Sequence, residues 1–236
     1  MTSSIDDLRA AYALPDRETP RIRINFVSSV DGAATLDDRS GGLGGPTDRA
    51  LMQVLRSLAD VVLVGAGTVR AEGYGGMRLS EEDAAWRRAQ GRAPQPRLAI
   101  VSRRLDLEPS DEVFTDAVVR PLVVTCAVAA PERRDALAAV ADVVIAGDEE
   151  VDLSLMRDEL ARRGMPQILC EGGPHLFGTL LDAGVVDELC LTLAPRLVGG
   201  DAGRIVRGAT EIDRGLALTG LLSDDDGFVF LRYARG

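Results

Sequence analysis

The sequence predicts an α/β fold with a mostly parallel central sheet, helices on both faces and a C-terminal antiparallel hairpin. Three observations carry this. Short, continuously apolar runs of strand length recur, as at residues 59–64, 121–125 and 168–170. Stretches with apolar residues at helical spacing separate them. The last two apolar runs, 216–222 and 228–233, are joined by Ser223-Asp224-Asp225-Asp226-Gly227, and the closing Asp-Gly is a hairpin signal.

In chain order, residues 1–20 read as a helical turn or two and an extended linker between Pro15 and Pro20, a tail or arm. Residues 21–236 read as a single domain. Its first strand is 21–30, ended by Asp31-Gly32. Residues 33–36 read as a further short strand, followed by the glycine-rich loop 37–45, too polar for a core element. Pro46 opens a helix with a polar first turn (Thr47, Asp48, Arg49) and an apolar stripe of Leu51, Val54, Leu55 and Leu58. Strand 59–64 runs into the glycine turn Gly65-Ala66-Gly67-Thr68-Val69. Ser80 and Asp83 form a capping box for helix 80–90, where Trp86 is a packing residue. Strands at 97–101, 121–125 and 143–146 alternate with helices at 131–140 and 153–163. Strand 168–170, Glu171, the Gly172-Gly173 turn, a helix opened by Pro174 and strand 187–194 complete the alternation.

Composition narrows the function. The chain has 236 residues, 46% hydrophobic but only 4% aromatic, so Val, Leu, Ala and Ile must fill the core. The net charge of −10 argues against nucleic acid or an anionic membrane as partner. A phosphate must then be caught by local arginines and backbone amides. Cys126, Cys170 and Cys190 are irregularly spaced in or beside apolar runs, which reads as buried free thiols in a reducing compartment. No run reaches membrane-span length, and residues 1–20 lack the features of a signal peptide, so the expectation is a cytoplasmic protein. His175 is the only histidine, which removes most His-based metal sites and the zinc-deaminase pattern; no metal is expected.

Ligands in an open parallel sheet bind beyond the carboxyl ends of its strands. Five features fall there: residues 29–32, Gly65 to Val69, Ser102 with Arg103 and Arg104, Thr125, and residues 171–175. Gly172 and Gly173 let the backbone approach a ligand closely, and the helix N-terminus behind them suits a phosphate. Ser102, Arg103 and Arg104 read either as a holder for an extra phosphate, such as the 2′-phosphate of NADPH, or as a solvated turn. Arg56 reads equally as a surface charge. The G-x-G-x-x-G fingerprint of standard dinucleotide-binding dehydrogenases is missing.

Three segments together, Ser28-Ser29-Val30-Asp31-Gly32, residues 55–69 (LRSLADVVLVGAGTV) and residues 171–200, give the chain a family resemblance. It resembles the C-terminal reductase domain of the bifunctional riboflavin-biosynthesis deaminase–reductase, which has a dihydrofolate-reductase-like fold. The resemblance covers nearly all of the chain after residue 20. It implies an NADPH-dependent reductase of a phosphoribosylamino-pyrimidine, 5-amino-6-(5-phosphoribosylamino)uracil, without the deaminase half, and a homodimer. By matching position, Ser40, Arg56, Arg78 and Glu171 are the implied substrate contacts. Val27, Thr68, Ser102 and the run Gly173, Pro174, His175, Leu176, Phe177, Gly178 and Thr179 are the implied cofactor contacts, with Glu72 shared. The chain departs from the family's A-D-D-P pattern with Ala71-Glu72-Gly73-Tyr74, and has Gly42 where a tryptophan is frequent. Both departures lie on the substrate side, so a dihydropterin-type reductase and a cofactor-binding protein without turnover are the rival readings. Hydride transfer also needs a proton source. Asp31, Glu72 and Glu171 are the carboxyl candidates, with water as the alternative.

Overall fold

The computed structural model describes residues 4–37 and 39–236. Its strands are β1 (Arg21–Ser29), β2 (Val61–Gly65), β3 (Arg97–Val101), β4 (Leu122–Thr125), β5 (Asp142–Ile145), β6 (Gln167–Cys170), β7 (Glu188–Ala194), β8 (Leu216–Ser223) and β9 (Val229–Arg235). Its α-helices are α1 (Ile5–Tyr12), α2 (Pro46–Leu58), α3 (Ala66–Glu72), α4 (Glu81–Ala89), α5 (Glu112–Thr115), α6 (Pro131–Ala138), α7 (Leu153–Arg162) and α8 (Pro174–Asp182). The fold is α/β with mostly parallel strand pairs and the C-terminal antiparallel hairpin that the sequence predicts. Two compact units emerge. The first takes residues up to Asp16, Arg21–Leu55 and Cys170–Gly236; the second takes Arg17–Pro20 and Arg56–Leu169.

In the second unit the strands run in the order β5-β4-β3-β2-β6. β2, β4 and β6 are apolar and buried along most or all of their length, as strands covered on both faces must be. Gly65 pairs with Val101, and Val101 with Val124, so the turns after β2, β3 and β4 leave at one level. The turn expected at residues 65–69 is mostly helix: α3 starts at Ala66, with Gly65 as its N-cap. Ser80 caps α4, its Oγ accepting from the Asp83 N–H at 3.1 Å and donating to the Asp83 carboxylate at 2.7 Å. Trp86 stacks under the Arg92 guanidinium, 4.5 Å from the ring centroid.

The end of α2 is held by three arginines. Arg17 donates to the Leu58 carbonyl at 2.6 Å. Arg87, only 1% exposed, donates to the carbonyls of Ser57, Ala59 and Ala93. Arg92 donates to the Ser57 carbonyl at 3.1 Å. The last carbonyls of a helix lack intrahelical partners and sit at its negative pole, so cations fit there.

In the first unit the order is β1-β7-β9-β8. α1 is a built element, with Ser4 and Asp7 forming a reciprocal capping box and Leu8 and Tyr12 buried. Residues 33–36 do not form the expected strand. Gly32 takes φ +90°, the Ala34 N–H is taken by the Gly203 carbonyl, and only an isolated bridge joins Leu36 to Arg39. All three cysteines are buried and unbonded to one another. Burial pushes the thiols of Cys170 and Cys190 up to about 12.

Glu188 ties this unit together. It lies between Arg23 of β1, 2.9 Å away, and Arg232 of β9, which donates to both its oxygens at 2.7 and 3.1 Å. The same arginines donate to the Tyr12 and Ala11 carbonyls at the end of α1. Burial raises the Glu188 carboxyl, but the charges and hydrogen bonds of Arg23 and Arg232 outweigh it and leave the net value below the ordinary one. Glu188→Ala leaves two arginines facing a vacated buried site and should cost about 3–5 kcal/mol in urea unfolding. Because the folded value is depressed, the stabilisation is full above the unfolded carboxyl value and is lost as pH falls through the folded one. Glu188→Gln should therefore remove that part of the acid limb of a stability–pH curve measured below about pH 4.3.

Candidate functional site

The first unit holds the Gly172-Gly173 turn. Its peptide is cis. Gly172 takes φ +107°, and a Cβ there would meet the Phe26 ring at 3.2 Å, so only glycine fits. Phe26 in turn stacks on Phe177 of α8, with centroids 5.5 Å apart. α8 has Gly173 as N-cap, and no side chain caps it. Leu176, Phe177 and Gly178 are buried, while His175 and Thr179 are exposed. Residues 207–210 lie along this helix. Arg207 N–H donates to the Pro174 carbonyl at 3.1 Å, and Thr210 Oγ1 donates to Asp182 at 2.7 Å. A Cβ on Gly178 would come within 2.2 Å of the Arg207 carbonyl oxygen. The N-terminus expected to hold a pyrophosphate is thus formed, fixed from both sides and without a side-chain cap. Glu171, half-buried, precedes it.

Val27 is half-buried on β1, opposite Thr192 of β7. Asp48, which the sequence reading placed only in a polar first turn, is half-buried near the start of α2. Burial pushes the Asp48 carboxyl up, opposed in part by Arg49. The carboxylate lies so close to Gly44 that a Cβ there would sit 2.6 Å from Asp48 Oδ2, and Phe228 presses on Gly45 in the same way at 2.7 Å. The end of the glycine loop, Gly44 and Gly45, is therefore packed. Ser40 is half-buried in a short 3-10 turn, Ser40–Gly42.

Asp31, a carboxyl candidate for the proton source, sits in a turn that its own hydrogen bonds hold. Its carboxylate accepts a short hydrogen bond from Ser29 Oγ, and others from the N–H groups of Gly199 at 2.7 Å and Val198 at 3.1 Å. The Ser29 bond first, then these backbone donors, pull its carboxyl down to about 2. A carboxyl so held keeps its charge and anchors a turn.

The second unit aligns Gly65, the start of α3 with Gly67, Thr68 and Val69, and Ser102 at adjacent strand ends. Ser102 is buried, and its N–H donates to the Val124 carbonyl. Arg103 is turned to the β5–α7 connection, on the Glu149 carbonyl at 2.9 Å and the Glu150 carboxylate at 3.0 Å. Arg104 is exposed.

Arg56 is not simple surface charge. It is half-buried, and its Nη2 donates to the Tyr74 hydroxyl at 2.8 Å. Glu72, the last residue of α3, is half-buried two positions before Tyr74. Arg78 points outward between buried Met77 and Leu79. A pocket of about 420 Å³ opens beside α3, lined by Val69, Tyr74, Arg70, Leu107, Arg133 and several acidic residues. Of the expected cofactor residues only Val69 lines it. No group of three or more potential metal ligands occurs among the described residues.

With these elements in place, comparison with known proteins is informative. Residues 20–230 match the family model of the RibD C-terminal domain. The chain is 31% identical over 206 residues to the 2,5-diamino-6-ribosylamino-4(3H)-pyrimidinone 5′-phosphate reductase of Methanothermobacter thermautotrophicus, covering 80% of this chain and 84% of that one. It is 29% identical over 182 residues to the reductase of the same name from Archaeoglobus fulgidus, covering 77% and 83%. Among solved structures, a pyrimidine reductase-like protein from Corynebacterium diphtheriae superposes with a TM-score of 0.86 at 32% identity, covering 97% of this chain and 98% of that one. A continuous match over almost the whole chain, together with relatives of similar length, means that the chain belongs to the RibD C-terminal domain family.

Proposed function

We propose that the chain is an NADPH-dependent reductase of a phosphoribosylamino-pyrimidine, converting the opened ribose to a ribityl chain in riboflavin biosynthesis. The observation that carries this is the uncapped, packed N-terminus of α8 behind Gly172, within a chain whose family match runs over residues 20–230. The names of the two archaeal relatives support the 2,5-diaminopyrimidinone as the base, ahead of the uracil that the resemblance implied. Assay of both phosphorylated pyrimidines, with dihydrofolate as control, tests the choice. Turnover of dihydrofolate alone would sink the proposal.

NADPH supplies the hydride when bound. In this reading Gly173 and the first turn of α8 take its pyrophosphate through backbone N–H groups and the helix dipole. Val27 and Thr68 are further contacts. Ser102 and Arg104 take the 2′-phosphate, since Arg103 is committed to Glu149 and Glu150. Glu171 and Ser40 bind polar groups of the substrate, and Arg56 and Arg78 bind its phosphate by charge-assisted hydrogen bonds.

Three expectations follow from these roles. Arg56→Ala should raise KM for the phosphorylated substrate and lose about 2–4 kcal/mol in kcat/KM, with little change in NADPH affinity; unchanged kcat/KM would return Arg56 to the surface. Asp48 is a carboxyl whose value is moved in the direction proton donation needs. As a general acid it acts while protonated, so kcat should fall as pH rises through its raised value. Asp48→Asn should lower kcat by about 10²–10⁴-fold and flatten that limb, and a full-rate Asp48→Asn would pass the task to water or another carboxyl. The chain is proposed to be a cytoplasmic homodimer. No helix among the described residues is long and apolar enough to cross a membrane, and β8 exposes Leu216, Leu218 and Leu221 at the end of its strand order. Sedimentation should give about twice 25.1 kDa, and Leu218→Glu with Leu221→Glu should give the monomer.

A further inference from the structure

Arg56 sits at a firm position. It precedes Ser57, whose carbonyl accepts from both Arg87 and Arg92. Tyr74 is equally fixed. Gly73 closes α3 in the left-handed conformation, φ 65°, and the Tyr74 N–H returns to the Val69 carbonyl at 3.0 Å. The Tyr74 hydroxyl accepts from Arg56 Nη2 at 2.8 Å, and the guanidinium carbon lies 5.9 Å from the ring centroid. Both side chains are half-buried.

An arginine that must hold a phosphate has several rotatable bonds, and its fork gives directional binding only when its plane is set. The Tyr74 oxygen sets one corner of that plane. A phosphomonoester dianion, with three oxygens to satisfy, matches a fork held in this way better than a neutral hydroxyl does.

We propose that Tyr74 is a positioning residue that orients Arg56 and thereby makes the site selective for phosphorylated over dephosphorylated substrates. The inference rests on the reading of Arg56 as a phosphate contact given above. Its test is steady-state kinetics of the wild type, Tyr74→Phe, Arg56→Ala and the double variant. Each is assayed with the phosphorylated pyrimidine and with its dephosphorylated ribosylamino counterpart, and with NADPH varied separately.

Tyr74→Phe keeps the ring and removes only the hydroxyl. It should raise KM for the phosphorylated substrate about 5- to 20-fold, the loss expected of one charge-assisted hydrogen bond. kcat, the melting temperature, the KM for NADPH and kcat/KM for the dephosphorylated substrate should stay as in wild type. The double variant should be no worse than Arg56→Ala, because the two side chains act as one unit. Arg56→Lys keeps the charge but cannot reach both Tyr74 and a phosphate in fork geometry. It should show the same split between the two substrates, and it decides the matter if Tyr74→Phe does not fold. Equal losses on both substrates, or additive losses in the double variant, would overturn the proposal. So would an unchanged Tyr74→Phe beside an impaired Arg56→Ala, which leaves the role of Arg56 standing. If Arg56→Ala is itself unimpaired on the phosphorylated substrate, both readings fall together.

Discussion

The carbonyl end of α2 is the constraint on which the second unit depends. Arg17, Arg87 and Arg92 converge on the oxygens of Ser57, Leu58 and Ala59. Burial lowers Arg87 and Arg92 to about 10, still above neutral pH, so the cluster keeps its charge. Asp60 supplies the counter-charge. It accepts from Arg17 at 2.7 Å and from the Gln167 N–H at 3.0 Å, while its own N–H donates to the Gln167 carbonyl. Gln167 then donates to the carbonyls of Arg17 and Thr19. One knot of polar groups thus fixes the end of a helix, the start of β2, the start of β6 and residues 17–20. Removing Arg87 leaves the buried Ala59 carbonyl without its arginine donor, which is costlier than losing the bond itself.

The first unit repeats the device with a different anion. Arg23 and Arg232 close the carbonyl end of α1 and share Glu188. In both units an arginine does two jobs, satisfying a helix end and neutralising a buried carboxylate. The residues proposed for ligands lie close to these fixed points in sequence and along the same strands. Val27 follows Arg23 on β1, and Arg56 precedes the capped carbonyls of α2. Rigidity at the anchor becomes precision at the neighbouring side chain.

Much of this was readable from sequence, for identifiable reasons. β2, β4 and β6 are continuous apolar runs because they are covered on both faces, and that pattern needs no partner to be seen. Pro46 and Pro174 mark helix starts, and Asp226-Gly227 marks the hairpin. α3 was read as a turn because Gly65 and Gly67 mask a helical stretch of only seven residues, Ala66–Glu72. The fates of Asp31, Arg103 and Arg56 depend on Gly199, Glu149 and Tyr74, which are 168, 46 and 18 residues away. No local pattern encodes such pairs. Asp48 escaped because its polar first turn does not announce its burial.

Charge gives the last step. Every one of the 27 basic residues is arginine; the chain has no lysine. An ammonium could supply the charge at the ends of α1 and α2, but not the planar fork with which Arg87 reaches the carbonyls of Ser57, Ala59 and Ala93 at once. The same fork is what a phosphate site needs, and a chain with net charge −10 has no general attraction for phosphate to fall back on. Discrimination must come from local geometry. An arginine whose plane is set by a neighbouring hydroxyl supplies it where bulk charge cannot, which is why the Arg56–Tyr74 contact carries more weight here than it would on a basic protein.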